Sequence, residues 1–174
     1  MTDKTSEIKE IKEVKLNDKF VLWYHHEPSN WKLEGYRQIY TLETIHDYWT
    51  LFNNINIIGG ITALHYFLMR EGVTPLWEDE KNKNGGCWSI KVTKDMAANI
   101  WELLSVLLIS EEILDKKKNS NFVNGLSICI KNNTSAIIKI WISNNSNNSI
   151  KNLNKKIIDK FGYNIIYKHN NPEY

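Results

Sequence analysis

Arginine is nearly absent from this chain, occurring only at Arg37 and Arg70. With 22 Lys+Arg against 20 Asp+Glu the formal net charge is +2, so no strong field marks a general nucleic-acid binder. Any phosphate contact must be local and made by a few placed lysines. Cysteine is equally scarce: Cys87 and Cys129 have neither metal-ligand spacing nor a disulfide framework around them. That suits a reduced, cytoplasmic compartment, where Asn-x-Ser/Thr triplets such as Asn144-Asn145-Ser146 meet no glycosylation machinery. No apolar run approaches the length of a membrane span, and the charged Met1–Asp18 segment lacks the apolar stretch of a secretory signal. Gly59-Gly60 and Gly85-Gly86 lack the further glycines of a dinucleotide or P-loop signature. The histidines are scattered without metal-chelating spacing, and His25-His26, adjacent on a strand, send their rings to opposite sides. Each histidine reads as a surface or turn residue. With no nucleophile, metal cluster or general-base pair, an enzyme is not expected, and neither is a cofactor.

What is present fits one globular domain. The 174 residues are 42% hydrophobic and 24% charged, enough for a sizeable core. Residues 1–15 mix charges without useful periodicity and read as a mobile tail, leaving 16–174 as the domain. Phe20–Tyr24 reads as a strand, Glu27–Trp31 as a loop, and Arg37–Leu42, which alternates polar and apolar residues, as a second strand. Ile45, Tyr48, Trp49 and Phe52 then recur at the spacing of an amphipathic helix. Thr62–Met69 and Cys87–Val92 are strands separated by a polar loop. Lys94–Ser110 is a long helix, with Ile100, Trp101, Leu104 and Leu108 on one side. Phe122–Lys131 and Ala136–Ile142 form a strand pair. Ser149–Phe161 reads as a third amphipathic helix capped by Gly162, and Asn164–Tyr167 as a last short strand. Strands joined by short turns, with helices inserted singly, predict an α+β fold: an antiparallel sheet with helices on one face and the other free to hold a ligand.

Seven tryptophans are more than a small core usually needs. Trp23, Trp88 and Trp101 are assigned to the core. Trp31 sits in a loop with no obvious core to enter, and Trp77-Glu78 opens another loop. Two indoles from separate loops could sandwich a base, and a carboxylate beside one of them could accept the N1–H and N2–H donors of guanine. Stacking is worth roughly 1–3 kcal/mol per base. A positive charge from N7 methylation adds about 0.5–2 kcal/mol of cation–π attraction. The neighbouring Asp79 and Glu80 read as solvated loop residues.

The string Trp77-Glu78-Asp79-Glu80-Lys81-Asn82-Lys83-Asn84-Gly85-Gly86-Cys87-Trp88 resembles the signature of the eukaryotic translation initiation factor 4E family. Matching text extends through Trp23, Trp31, Asp47-Tyr48-Trp49, Trp101 and Ile140-Trp141, over residues 16 to 167. The resemblance implies a single curved antiparallel sheet with three helices on its convex face and a concave cap-binding side. It implies that Trp31 and Trp77 stack on a 7-methylguanine, that Glu78 reads the guanine edge, and that Trp141 lies near the N7-methyl group. Lys131 matches a basic residue that contacts the cap triphosphate. Cys87 and Ile137 stand where the family carries further phosphate-binding cations, and Lys139, on the same strand face as Ile137, is a candidate substitute. Trp49, with Ile45 on the same helix, matches the dorsal surface that receives a Tyr-x-x-x-x-Leu-Φ helix from a scaffold factor or inhibitor.

The expected function is therefore binding of capped mRNA by a chain that is monomeric by itself, recruiting the message to a scaffold in translation initiation. The altered phosphate positions, and Glu102 at a typically apolar dorsal position, raise an alternative. In it the protein is a cap-binding repressor or transcript selector, of viral or parasite origin, that does not use the ordinary scaffold. An end at Tyr174 leaves out most of the C-terminal loop that leans over the first transcribed nucleotide in the family.

Overall fold

The computed structural model describes residues 13–61, 65–115 and 117–170. Seven strands form one sheet: β1 (Lys15–His25), β2 (Tyr36–Thr44), β3 (His65–Arg70), β4 (Gly86–Thr93), β5 (Val123–Ile130), β6 (Ser135–Ile142) and β7 (Ile165–His169). Their order across the sheet is β2-β1-β3-β5-β6-β4-β7, and every neighbouring pair is antiparallel. The sheet is curved and open, with three α-helices behind it: α1 (Ile45–Asn54), α2 (Lys94–Ile109) and α3 (Lys155–Phe161). This is the α+β architecture expected. The predicted tail falls mostly on residues outside those described, and Lys15 already belongs to β1. The expected strand from Thr62 is β3, its first three residues lying outside the described set.

Side-chain alternation divides the sheet into two faces. Phe20 and Leu22 of β1, Leu68 of β3, Trp88 and Ile90 of β4 and Ile138 and Ile140 of β6 point to the helices. There they join Tyr48 of α1, Ile100, Trp101 and Leu104 of α2, and Ile157 and Phe161 of α3 in the main core. The alternate residues Val21, Trp23, Phe67, Met69, Cys87 and Trp141 form a second, smaller cluster on the concave face. The helix α1 starts where a reciprocal cap forms: the Asp47 N–H donates to Thr44 Oγ1 at 3.0 Å, and the Thr44 N–H donates to the Asp47 carboxylate at 2.8 Å.

The third helix differs from the expectation. Ile150–Asn152 makes only a 3-10 turn, Leu153 is extended and bridges to Leu114, and the α-helix begins at Lys155. Asn154 decides this start, because its side-chain oxygen accepts the Lys156 N–H at 2.9 Å as a helix cap. The buried Leu153 is held in the bridge rather than on the helix. Gly162 follows in right-handed rather than left-handed conformation, and a 3-10 turn over Gly162–Asn164 delivers the chain to β7.

Candidate functional site

Two loops converge on the concave face. The first joins β1 to β2. The His26 N–H donates to the Gly35 carbonyl at 2.9 Å, and the Asn30 N–H donates to the Glu27 carbonyl at 2.8 Å. A Cβ on residue 35 would lie 2.0 Å from the Asn30 carbonyl oxygen, so the tight closure requires Gly35. His25 Nε2 lies 2.7 Å from that same carbonyl. A carbonyl can only accept, so Nε2 carries the proton. The His25 ring is stacked on Tyr36 and sits 4.5 Å from Trp31, while His65 lies 6.2 Å from Trp31. Trp31 is thereby seated from below yet 59% exposed.

The second loop joins β3 to β4. Asp79 is its inner brace, not a solvated residue as the sequence suggested. Its carboxylate accepts the Thr74 N–H at 2.9 Å, the Thr74 hydroxyl at 2.5 Å and the Lys81 N–H at 2.8 Å. Asn82 is fully buried and donates to the Thr74 and Leu76 carbonyls at 2.9 and 2.7 Å. Asn170, beyond β7, donates in turn to the Asn82 carbonyl at 2.9 Å. Glu80 behaves as expected, in an exposed ion pair with Lys83. The braced loop holds Trp77 out, 48% exposed, with Glu78 exposed beside it. Burying such a side chain is worth about 1.5–3 kcal/mol. Two indoles left this open, over one cavity, forgo that stabilisation until something covers them.

The cavity between them has a volume of about 740 Å³, and Trp31, Trp77, Trp141, Lys131 and Lys139 all line it. Trp141 is 6% exposed and forms part of the floor, its indole N–H donating to Ser127 Oγ at 3.0 Å. Glu78 is not part of the cavity wall, but its charge is felt there. Burial, with the Glu78 carboxylate adding to it, pushes the Tyr36 hydroxyl up to about 12. Burial first, then the positive charges of His25, Lys131 and Lys139, holds the His65 imidazole down at about 3. Burial likewise pushes the Cys87 thiol up to about 12, so it stays a neutral wall group.

Sequence reasoning missed four residues here. His25 and His65 are not surface histidines: His25 is buried and His65 lines the cavity. Lys91 and Lys168 also line it. The alternation Cys87, Ser89, Lys91 placed Lys91 on the concave face all along, whereas Lys168 required the β4–β7 register. Among the described residues no group of His, Cys, Asp and Glu is placed to hold a metal ion, and no helix is long and apolar enough to cross a membrane.

On the opposite side, Trp49 and Ile45 of α1 are 44% and 41% exposed. Between them in sequence, Tyr48 is buried and its hydroxyl pairs with Ser105 of α2 at 2.9 Å. The expected partner surface is thus a separate face from the cavity.

The fold and cavity define a class: a curved antiparallel sheet backed by helices, with an aromatic, lysine-lined cavity in front. The chain belongs to the eukaryotic initiation factor 4E family, whose model matches residues 15–173. A relative named eukaryotic translation initiation factor NCBP from Arabidopsis thaliana is 28% identical over 158 residues, covering 84% of this chain and 68% of that protein. The human eukaryotic translation initiation factor 4E is 31% identical over 107 residues, 58% of this chain and 49% of its own length. Against the wheat NCBP the chain spans 56% of the relative's length. Among solved structures, Ascaris suum eIF4E-3 with m7G cap superposes with a TM-score of 0.76 at 23% identity, covering 92% of this chain and 93% of that one. A schistosome eIF4E complexed with m7GpppG and 4E-BP gives 0.75 at 20% identity, covering 90% and 88%. At those identities the likeness speaks to the fold.

Proposed function

We propose that this chain binds the 7-methylguanosine 5′ cap of mRNA and acts in translation initiation, in the cytoplasm, without catalysing a reaction. The observation that carries the reading is the pair of exposed indoles, Trp31 and Trp77, held by separate braced loops over one cavity. A cationic purine stacks between them, Glu78 accepts its N1–H and N2–H, and Trp141 lies under its methylated side. Lys131 and Lys139 face the phosphates. The cap-bound Ascaris suum and schistosome relatives support this reading. Trp49 and Ile45 receive a Tyr-x-x-x-x-Leu-Φ helix of a scaffold or inhibitor, as the relatives solved with 4E-binding proteins suggest.

The test is retention on immobilised 7-methyl-GTP with release by free 7-methyl-GTP but not by GTP. Trp77→Ala and Glu78→Ala each lose retention while keeping the fold. A Trp77→Ala protein held like the wild type would overturn the site.

A second reading, cap binding by a repressor or selector, is favoured by Glu102. This acid on α2 lies beside Tyr48, where it disfavours an apolar scaffold helix. Inhibition of capped translation on adding the protein, with no scaffold co-purifying, would select it.

A further inference from the structure

The concave face carries more cations than the guanine clamp needs, and register places them. Cys87 of β4 stands directly between Trp141 of β6 and Lys168 of β7, as cross-strand partner of both. Directly opposed residues share a face, so Lys168 projects beside the Cys87 thiol, one strand spacing of about 4.8 Å away. Two residues along, Lys139 stands between Ser127 and Ser89. Two further, Lys91 stands opposite Ile137. Three lysines on three strands thus occupy three successive rows, about 7 Å apart. All line the same cavity as the two indoles, all are exposed, and among the described residues none is in an ion pair. Like charges placed this close repel one another unless an anion lies between them. No Asp or Glu is among the residues that line this cavity.

We propose that Lys168 and Lys91 bind the polyphosphate tail of the nucleotide whose base is clamped by Trp31 and Trp77, so that phosphate recognition runs across β7, β6 and β4. The inference rests on the cap-binding reading. It assigns to these two lysines the work that cations at Cys87 and Ile137 would do: each stands in the same row as the uncharged residue, one strand over. An ammonium on a flexible four-carbon stem reaches the same space from either strand.

The experiment titrates guanosine, 7-methylguanosine and 7-methyl-GTP into wild type, Lys168→Gln, Lys91→Gln and Lys91→Gln/Ile137→Lys, at two salt concentrations. Each single variant binds 7-methyl-GTP about tenfold more weakly, with a shallower salt dependence, and binds 7-methylguanosine like the wild type. Ile137→Lys, which returns the charge to the neighbouring strand, restores most of the loss from Lys91→Gln. Single variants that bind 7-methyl-GTP like the wild type would overturn the assignment, as would a loss shared equally by the nucleoside. A wild type that binds 7-methylguanosine no better than guanosine would instead overturn the cap-binding reading itself.

Discussion

Asn124, on β5, donates a 2.8 Å hydrogen bond to the side-chain oxygen of Asn82, in the loop that carries Trp77. Asn124 also donates to the Lys81 carbonyl at 2.7 Å. The loop is thereby fastened to the centre of the sheet, and Trp77 is presented at a set place over the cavity. Removing Asn82 takes from the half-buried Thr74 carbonyl its side-chain donor and from Leu76 and Asn124 one of their two partners, and a buried polar group left without a partner costs about 1–3 kcal/mol. Asn82→Ala is expected to lower unfolding free energy by about 1–3 kcal/mol and to weaken 7-methyl-GTP binding, although Asn82 does not line the cavity. Urea unfolding and a fluorescence titration read the two effects. Unchanged affinity in a destabilised protein would show that the loop keeps its shape without the brace.

His25 seats Trp31 in two ways, through the hydrogen bond to the Asn30 carbonyl and through ring contact. His25→Phe keeps the ring and loses the bond, whereas His25→Ala loses both. Affinity for 7-methyl-GTP should fall in the order wild type, Phe, Ala, with the alanine variant about tenfold or more down, since a mobile indole must be ordered on binding. Equal affinity in all three would mean that Trp31 needs no seat.

The His65 imidazole, ordinarily near 6.5, is held at about 3 by burial and by neighbouring positive charge. Between these values the unfolded chain takes up a proton that the folded chain does not. The neutral imidazole therefore contributes stability that is full above about pH 6.5 and lost progressively as pH falls toward 3. The loss from this group is at most about 1.4 kcal/mol per pH unit. Urea midpoints measured from about pH 7 down to about pH 4.5 should fall less steeply in His65→Gln than in wild type. Parallel slopes would remove His65 as the source.

Trp49 lies on the helical side, away from the cavity. Trp49→Ala is expected to retain the protein on 7-methyl-GTP resin while weakening binding of a Tyr-x-x-x-x-Leu-Φ peptide by about 2 kcal/mol or more, the usual loss at an aromatic anchor. Isothermal titration with the peptide measures it. A peptide that binds wild type and variant alike would place the partner elsewhere.

Much of the fold could be read along the chain, because each element carries its own periodicity. The helix α2 shows its buried stripe of Ile100, Trp101, Leu104 and Leu108, β4 alternates between the core and the concave face from Trp88 on, and β6 is rich in β-branched residues. Trp31 and Trp77 could be picked out because a large aromatic residue in a polar loop has no local packing partner. The third helix was misjudged because its apolar spacing continues through Leu153, which a bridge to Leu114 takes out of the helix. That contact joins distant parts of the chain and leaves no local mark.

The amino-acid sequence by itself determined the order of elements, the two exposed indoles with their acid, and a sheet with one face left open. Those follow from patterns a few residues long, which the backbone geometry of helix and strand converts directly into faces. Only the tertiary structure decided which polar side chains share the cavity: that His25 and His65 lie beneath Trp31, that Asp79 and Asn82 brace the loop, and that Lys168 stands beside Cys87. The physical reason is that neighbours across a sheet are chosen by register and strand order, and these bring together residues whose separation along the chain carries no periodic signal.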